Sequence, residues 1–166
     1  MVISDKRLIL LEEVKSKLTE LGKTVSTAES CTSGLLGANL TYLDGSSNYY
    51  MGGVCVYSNY AKVHILGVDS KIIEEFGAVS PETAVSMAEN IRLKLNTDYG
   101  ISITGIAGPG GGTTQKPVGT VWVCICSAEN RVVENLKLSG SRDSIREDTV
   151  ELVLKKLLNF MLNKDR

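Results

Sequence analysis

The sequence predicts an α/β fold: a three-layer α/β/α sandwich around a five-stranded mixed, mostly parallel sheet with one antiparallel strand. Three observations carry this expectation. Short apolar stretches bounded by turn residues alternate with longer stretches of helical repeat, the pattern of βα units. Three of the short stretches, Thr24–Ala28, Gly52–Val56 and Tyr99–Ile103, consist almost wholly of small and apolar residues, as strands covered on both faces do. The last two strand-like runs are separated only by Ser127–Asn130, so they form a hairpin and Val118–Cys126 runs against its neighbours.

Each element has a local reason. Lys6–Leu21 carries leucine, isoleucine and valine at helical spacing, with Gly22 placed to end the helix. Thr24–Ala28 is a strand, and Thr32–Leu40 is a helix whose small residues suit close packing on a sheet. Leu43–Asn48 is rich in turn formers, and Gly53–Tyr57 is the second strand. Asn59 is placed to cap a short helix ending at Gly67, and Ser70–Phe76 is another, ended by Gly77. Ser80-Pro81 is a strong helix start, because serine caps and proline suits the first turn; that helix runs to Leu95. Tyr99–Thr104 is the third strand, and the five glycines and two prolines of Gly105–Pro117 make a loop. Val118–Cys126 and Arg131–Leu138 form the hairpin, and Ser141 caps a final helix reaching Asn163.

With 166 residues, 43% of them hydrophobic and 22% charged, one domain spanning 1–166 is expected. A formal net charge of -1 lacks the basic excess of a nucleic-acid binder, so no nucleic acid is expected as partner. No apolar run is long enough to span a bilayer, and Leu8–Leu11 is too short for a signal-peptide core, so a cytoplasmic protein without a membrane partner is expected. The apolar final helix points to an interface with a second copy of the chain. Cys31, Cys55, Cys124 and Cys126 form no C-x-x-C pair, and His64 is the single histidine, so they read as reduced core thiols rather than a metal site.

The chemistry-bearing residues lie where the strands end. In an open α/β sheet, ligands bind beyond the carboxyl ends of parallel strands. The first strand runs into Glu29-Ser30-Cys31-Thr32, the second into Tyr57 and then Lys62, and the third into Thr104 and the glycine-rich loop, including Gly105, Ala107 and Gly108. Ser30 at a strand–helix junction exposes its hydroxyl, and the free N–H groups of the helix it opens would face an adjacent anion. A serine nucleophile needs a base. His64 lies mid-helix, on a different side from Lys62, whereas burial turns a lysine into a base by depressing its pKa. Tyr57 would relay a proton or orient the amine, and Glu29 would hold Lys62 or a polar group of a ligand. Cys31 is a weaker nucleophile candidate, since its side chain should point away from that of Ser30. Gly140-Ser141-Arg142 with Arg146 opens the last helix and suits a phosphate.

Six blocks, taken together, are similar to a known family. They are Thr27–Thr32, Tyr57–Asn59 with Lys62, Gly77–Ser80, Gly105–Pro109 with Gly111-Gly112, Lys116–Val121, and Ser139-Gly140 with Arg142. They resemble the C-terminal domain family of the competence/damage-inducible protein CinA, in order and from about Ile9 to Leu162. Stand-alone members of that family are nicotinamide-nucleotide amidohydrolases. The resemblance implies conversion of nicotinamide mononucleotide to nicotinic acid mononucleotide and ammonia, with no cofactor and no metal. It implies Ser30 as nucleophile, Lys62 as base and Tyr57 as the assisting group. Thr104 and the glycines after it would line the substrate site, and Arg142 or Arg146 would hold the phosphate. Ser33, where many members carry glycine, and Tyr60 depart from the pattern. A non-catalytic module that senses a nucleotide or docks a partner, and a hydrolase of another amide, remain open beside this reading.

Overall fold

The computed structural model describes residues 3–162, so the expected last helical residue, Asn163, lies outside it. Helix α1 (Asp5–Leu21) starts where the Ser4 side chain accepts from the Arg7 N–H, and stops at Gly22 in a left-handed conformation. It is followed by β1 (Val25–Glu29), α2 (Leu35–Leu40), a single 3₁₀ turn at Ser46–Asn48, and β2 (Tyr50–Cys55). The short α3 (Asn59–Ala61) continues into a π-helical turn at Lys62–Leu66, and α4 (Ser70–Phe76) and α5 (Pro81–Lys94) follow. The chain closes with β3 (Tyr99–Gly105), the hairpin β4 (Thr120–Cys126) and β5 (Arg131–Lys137), and α6 (Arg142–Leu162).

The five strands lie in the order β2-β1-β3-β4-β5. Strand β1 pairs in parallel with both β2 and β3, and β4 runs antiparallel to β3 and β5, so β4 alone opposes the rest, as the hairpin requires. One face is covered by α1, α2 and α6, whose Leu18, Leu36 and Leu154 meet Ile101, Ile103 and Ile125 of the sheet. On the other face Met87 and Ile91 of α5 meet Ala28, Val56 and Leu66, and Ala84 and Ala88 meet Cys124 and Cys126. Helix α5 sits close on β3 because β3 offers it only small residues. A Cβ on Gly100 would lie 2.2 Å from the Ala88 carbonyl oxygen, and Ser102 Oγ donates to the Ala84 carbonyl at 2.5 Å.

Local expectations at three places need correction. Helix α2 begins at Leu35 rather than Thr32, because Ser33 (φ 51°) and Gly34 (φ 88°) turn left-handed. Strand β2 begins three residues before Gly53 and ends at Cys55; it is an edge strand, and Cys55 is exposed rather than a core thiol. Ser58, not Asn59, caps α3, its Oγ accepting from the Ala61 N–H at 3.0 Å. The apolar residues Ile145, Val150, Val153, Leu157 and Met161 of α6 pack in the chain's own core, while Leu162 is exposed.

Candidate active site

The connection from β1 leads through α2 to β2 on one side of it, and the next connection returns through α3–α5 to β3 on the other. The strand order therefore reverses at β1. The two connections leave by opposite faces of the sheet, and a crevice opens beyond the carboxyl end of that strand. Ser30 is the first residue after β1 and stands at this point. Its N–H donates to the Ile103 carbonyl at 2.9 Å, which holds it in line with the sheet.

Lys62 enters from the other side. After β2 the chain continues extended, turns at the Ser58 cap, and carries Lys62 back at the start of the π turn. π turns often occur where a side chain has a functional task. Lys62 is only 1% exposed, the largest of the fully buried side chains. Its Nζ lies 3.0 Å from Ser30 Oγ and donates to the carbonyls of Val56 (2.8 Å) and Tyr57 (3.2 Å). Burial holds its pKa below the ordinary lysine value. A neutral amine has two N–H donors and one lone pair. With two of its donors taken by carbonyls, the amine in its neutral form would turn its lone pair toward the serine hydroxyl, a geometry that suits a general base.

These two groups form the floor of a cavity of about 250 Å³. Its walls include Cys31, Tyr57, Thr104, Gly105, Ala107, Gly108 and Arg142, all singled out in the sequence. Thr104 Oγ1 donates to the Ala78 carbonyl at 2.7 Å, which ties β3 to the α4–α5 connection. Arg142 spans the mouth: one guanidinium nitrogen donates to the Gly108 carbonyl (2.7 Å) and another to the Tyr57 hydroxyl (3.2 Å). Tyr57 is 61% exposed, so its hydroxyl stands at the rim while its carbonyl supports Lys62. Ala78, Val79, Ile106 and Asn59 also line the cavity. Sequence reasoning gave none of them a part in the site, although they stand within or beside the resembling blocks.

The remaining candidates are engaged in other ways. Glu29 does not reach Lys62: its buried carboxylate accepts from Thr32 Oγ1 and from the N–H groups of Gly34, Leu36 and Gly37. The N–H groups that were expected to face an anion beside Ser30 are thus occupied from within. Thr32 serves Glu29 through its hydroxyl, and Arg146 donates to the Thr32 carbonyl at 3.0 Å; none of the three lines the cavity. The Cys31 thiol packs into the core, and burial pushes its pKa up to about 11, so it is no thiolate at neutral pH. His64 stacks on Tyr60 at the surface and hydrogen-bonds the Tyr60 carbonyl, away from Ser30.

Comparison with known proteins gives one consistent result. A CinA-like protein from Synechocystis sp. (strain ATCC 27184 / PCC 6803 / Kazusa) is 52% identical over 129 residues, covering 78% of this chain and 31% of that protein. One from Mycobacterium marinum (strain ATCC BAA-535 / M) is 50% identical over 133 residues, covering 80% and 31%. The chain thus spans about a third of the length of these curated relatives. Among solved structures, the competence/damage inducible protein CihA from Agrobacterium tumefaciens superimposes with a TM-score of 0.92 at 37% identity, covering 96% of this chain and 99% of that one. The match to the CinA C-terminal domain runs over residues 8–161, across both faces of the sheet and the whole crevice, and the chain belongs to that family.

Proposed function

We propose that the chain is an amidohydrolase that converts nicotinamide mononucleotide to nicotinic acid mononucleotide and ammonia. The observation that carries the reaction type is the 3.0 Å approach of Ser30 Oγ to a buried Lys62 amine whose two donors are committed to carbonyls. The choice of substrate rests on the family resemblance and on a cavity of about 250 Å³ with a guanidinium at its mouth.

Neutral Lys62 takes the Ser30 proton as Oγ attacks the carboxamide carbon. The resulting oxyanion needs N–H donors. That of Ser30 is engaged with Ile103 and those of Gly34, Leu36 and Gly37 with Glu29, so the N–H of Cys31 and those of the glycine-rich loop at Ala107, Gly108, Gly110 and Gly111 are the donors that line the cavity. The C–N bond breaks, and the departing nitrogen takes a proton from the Lys62 ammonium, with the Tyr57 hydroxyl at hand at the rim. Water then gives its proton to Lys62 and attacks the nicotinoyl ester, and Ser30 recovers its proton as the acid leaves. Arg142 holds the phosphate.

The test is ammonia release from the mononucleotide by the purified chain. Ser30→Ala should abolish it, and Lys62→Ala should lower kcat by about 10³-fold, the scale of a lost general base. Binding of the mononucleotide without ammonia release would instead identify a sensing module. Equal hydrolysis of phosphate-free amides would identify a broader amidase.

A further inference from the structure

We infer that Glu29 is a positioning residue for this reaction: its carboxylate holds the strained turn that follows the nucleophile and so sets Ser30 against Lys62. The inference rests on the hydrolytic reading above. Glu29 is 1% exposed, and a carboxylate withdrawn from water persists only when its lone pairs are well filled. They are filled here by neutral donors: Thr32 Oγ1 at 2.6 Å, Gly37 N–H at 2.8 Å, and the Gly34 and Leu36 N–H groups at 3.1 Å. All four belong to the segment just beyond Ser30.

That segment needs holding. Ser33 and Gly34 are successive left-handed residues, and a non-glycine residue keeps such a conformation only where its surroundings impose it. The turn closes on the nucleophile itself, with both the N–H and the hydroxyl of Ser33 donating to the Ser30 carbonyl, at 3.1 and 3.3 Å. The main chain of Glu29 reaches the base as well. Its carbonyl accepts from the Val56 N–H at 2.8 Å, and the Val56 carbonyl in turn accepts from Lys62 Nζ. One residue therefore braces the mount of the nucleophile through its side chain and the mount of the base through its backbone.

The experiment compares the wild-type chain with Glu29→Gln and Glu29→Ala, with Ser30→Ala as the unreactive control. A fluorophosphonate probe, which loses fluoride as Ser30 Oγ bonds to phosphorus and its proton passes to Lys62, counts competent sites. Ammonia release then gives KM, and kcat per counted site. Glu29→Ala should label fully, but with kcat per site lowered about 100-fold, the penalty of a displacement of order 1 Å, and with KM little changed. Glu29→Gln keeps the size and one carbonyl oxygen but turns amide protons toward N–H donors, so it should fall between; should Glu29→Ala fail to fold, this variant decides. Fewer labelled sites with an unchanged kcat per site would show a merely structural role and overturn the inference. A raised KM at constant kcat would show substrate contact and overturn it too. If the wild type neither labels at Ser30 nor releases ammonia, the hydrolytic reading fails and takes this inference with it. An active wild type with unaffected Glu29 variants defeats the inference alone.

Discussion

At the scale of single residues, Lys62 costs the fold stability that the site uses. Its pKa in the folded chain is lowered by burial, while the unfolded value stays near 10.5. Between those two values the unfolded state binds the proton and the native state does not, so stability rises with pH across that window. The difference in unfolding free energy between wild type and Lys62→Met should therefore shift in favour of the wild type from neutral pH toward 10.5, read by denaturant titration at several pH values; a flat difference would count against a depressed lysine. The kcat profile should rise through the same lowered pKa. Thiols report on burial in a second way. Of the four cysteines, only Cys55 is exposed, while burial pushes the Cys31 and Cys124 thiols up to about 11 and about 12. One thiol per chain should react with an aromatic disulfide reagent in the native state, and four after denaturation.

At the scale of elements, the segment after β1 shows what local signals convey and what they leave out. Small residues from Ser33 onward announced a helix packed on the sheet, and α2 is there. Its start was misplaced because the deciding contact, Glu29 reaching three to eight residues ahead, depends on the side chain folding back over a left-handed turn. The start of α6 resolves a different ambiguity. Arg142 and Arg146 both follow Gly140-Ser141, and sequence offered no way to rank them. In the fold, Arg142 faces the cavity mouth and binds Gly108 and Tyr57, whereas Arg146, one turn on, holds the Thr32 carbonyl. Arg142→Ala should raise KM for the mononucleotide by about tenfold or more, as expected for lost charge-assisted bonds to a phosphate, and change KM for the phosphate-free nucleoside much less. Arg146→Ala should leave that KM ratio unchanged. Steady-state kinetics on the two substrates checks both.

At the scale of the whole molecule, the core on the α1/α6 face carries much of the stability. Leu154 is fully buried there, and Leu154→Ala should cost about 3 kcal/mol, read as a lowered denaturation midpoint with an unchanged slope. The same core accounts for most of the apolar residues of α6: residues at helical spacing state that a helix must be covered, not by what. Strand and helix order, the antiparallel β4 and the residues at the strand ends were all legible, because periodicity, caps and turns are short-range properties of the chain. The meeting of Ser30 with Lys62, 32 residues apart, was expected from the sequence only through converging strand ends and the family resemblance, and the fold sets the two at 3.0 Å. It arises because β2 and β3 flank β1 on opposite sides and their connections leave by opposite faces, which brings two distant strand ends to one crevice. Sequence alone determined which elements form and which reactive side chains stand at their ends. Only the tertiary structure decided which of those side chains meet and which lose their water, because both depend on packing between segments far apart in the chain.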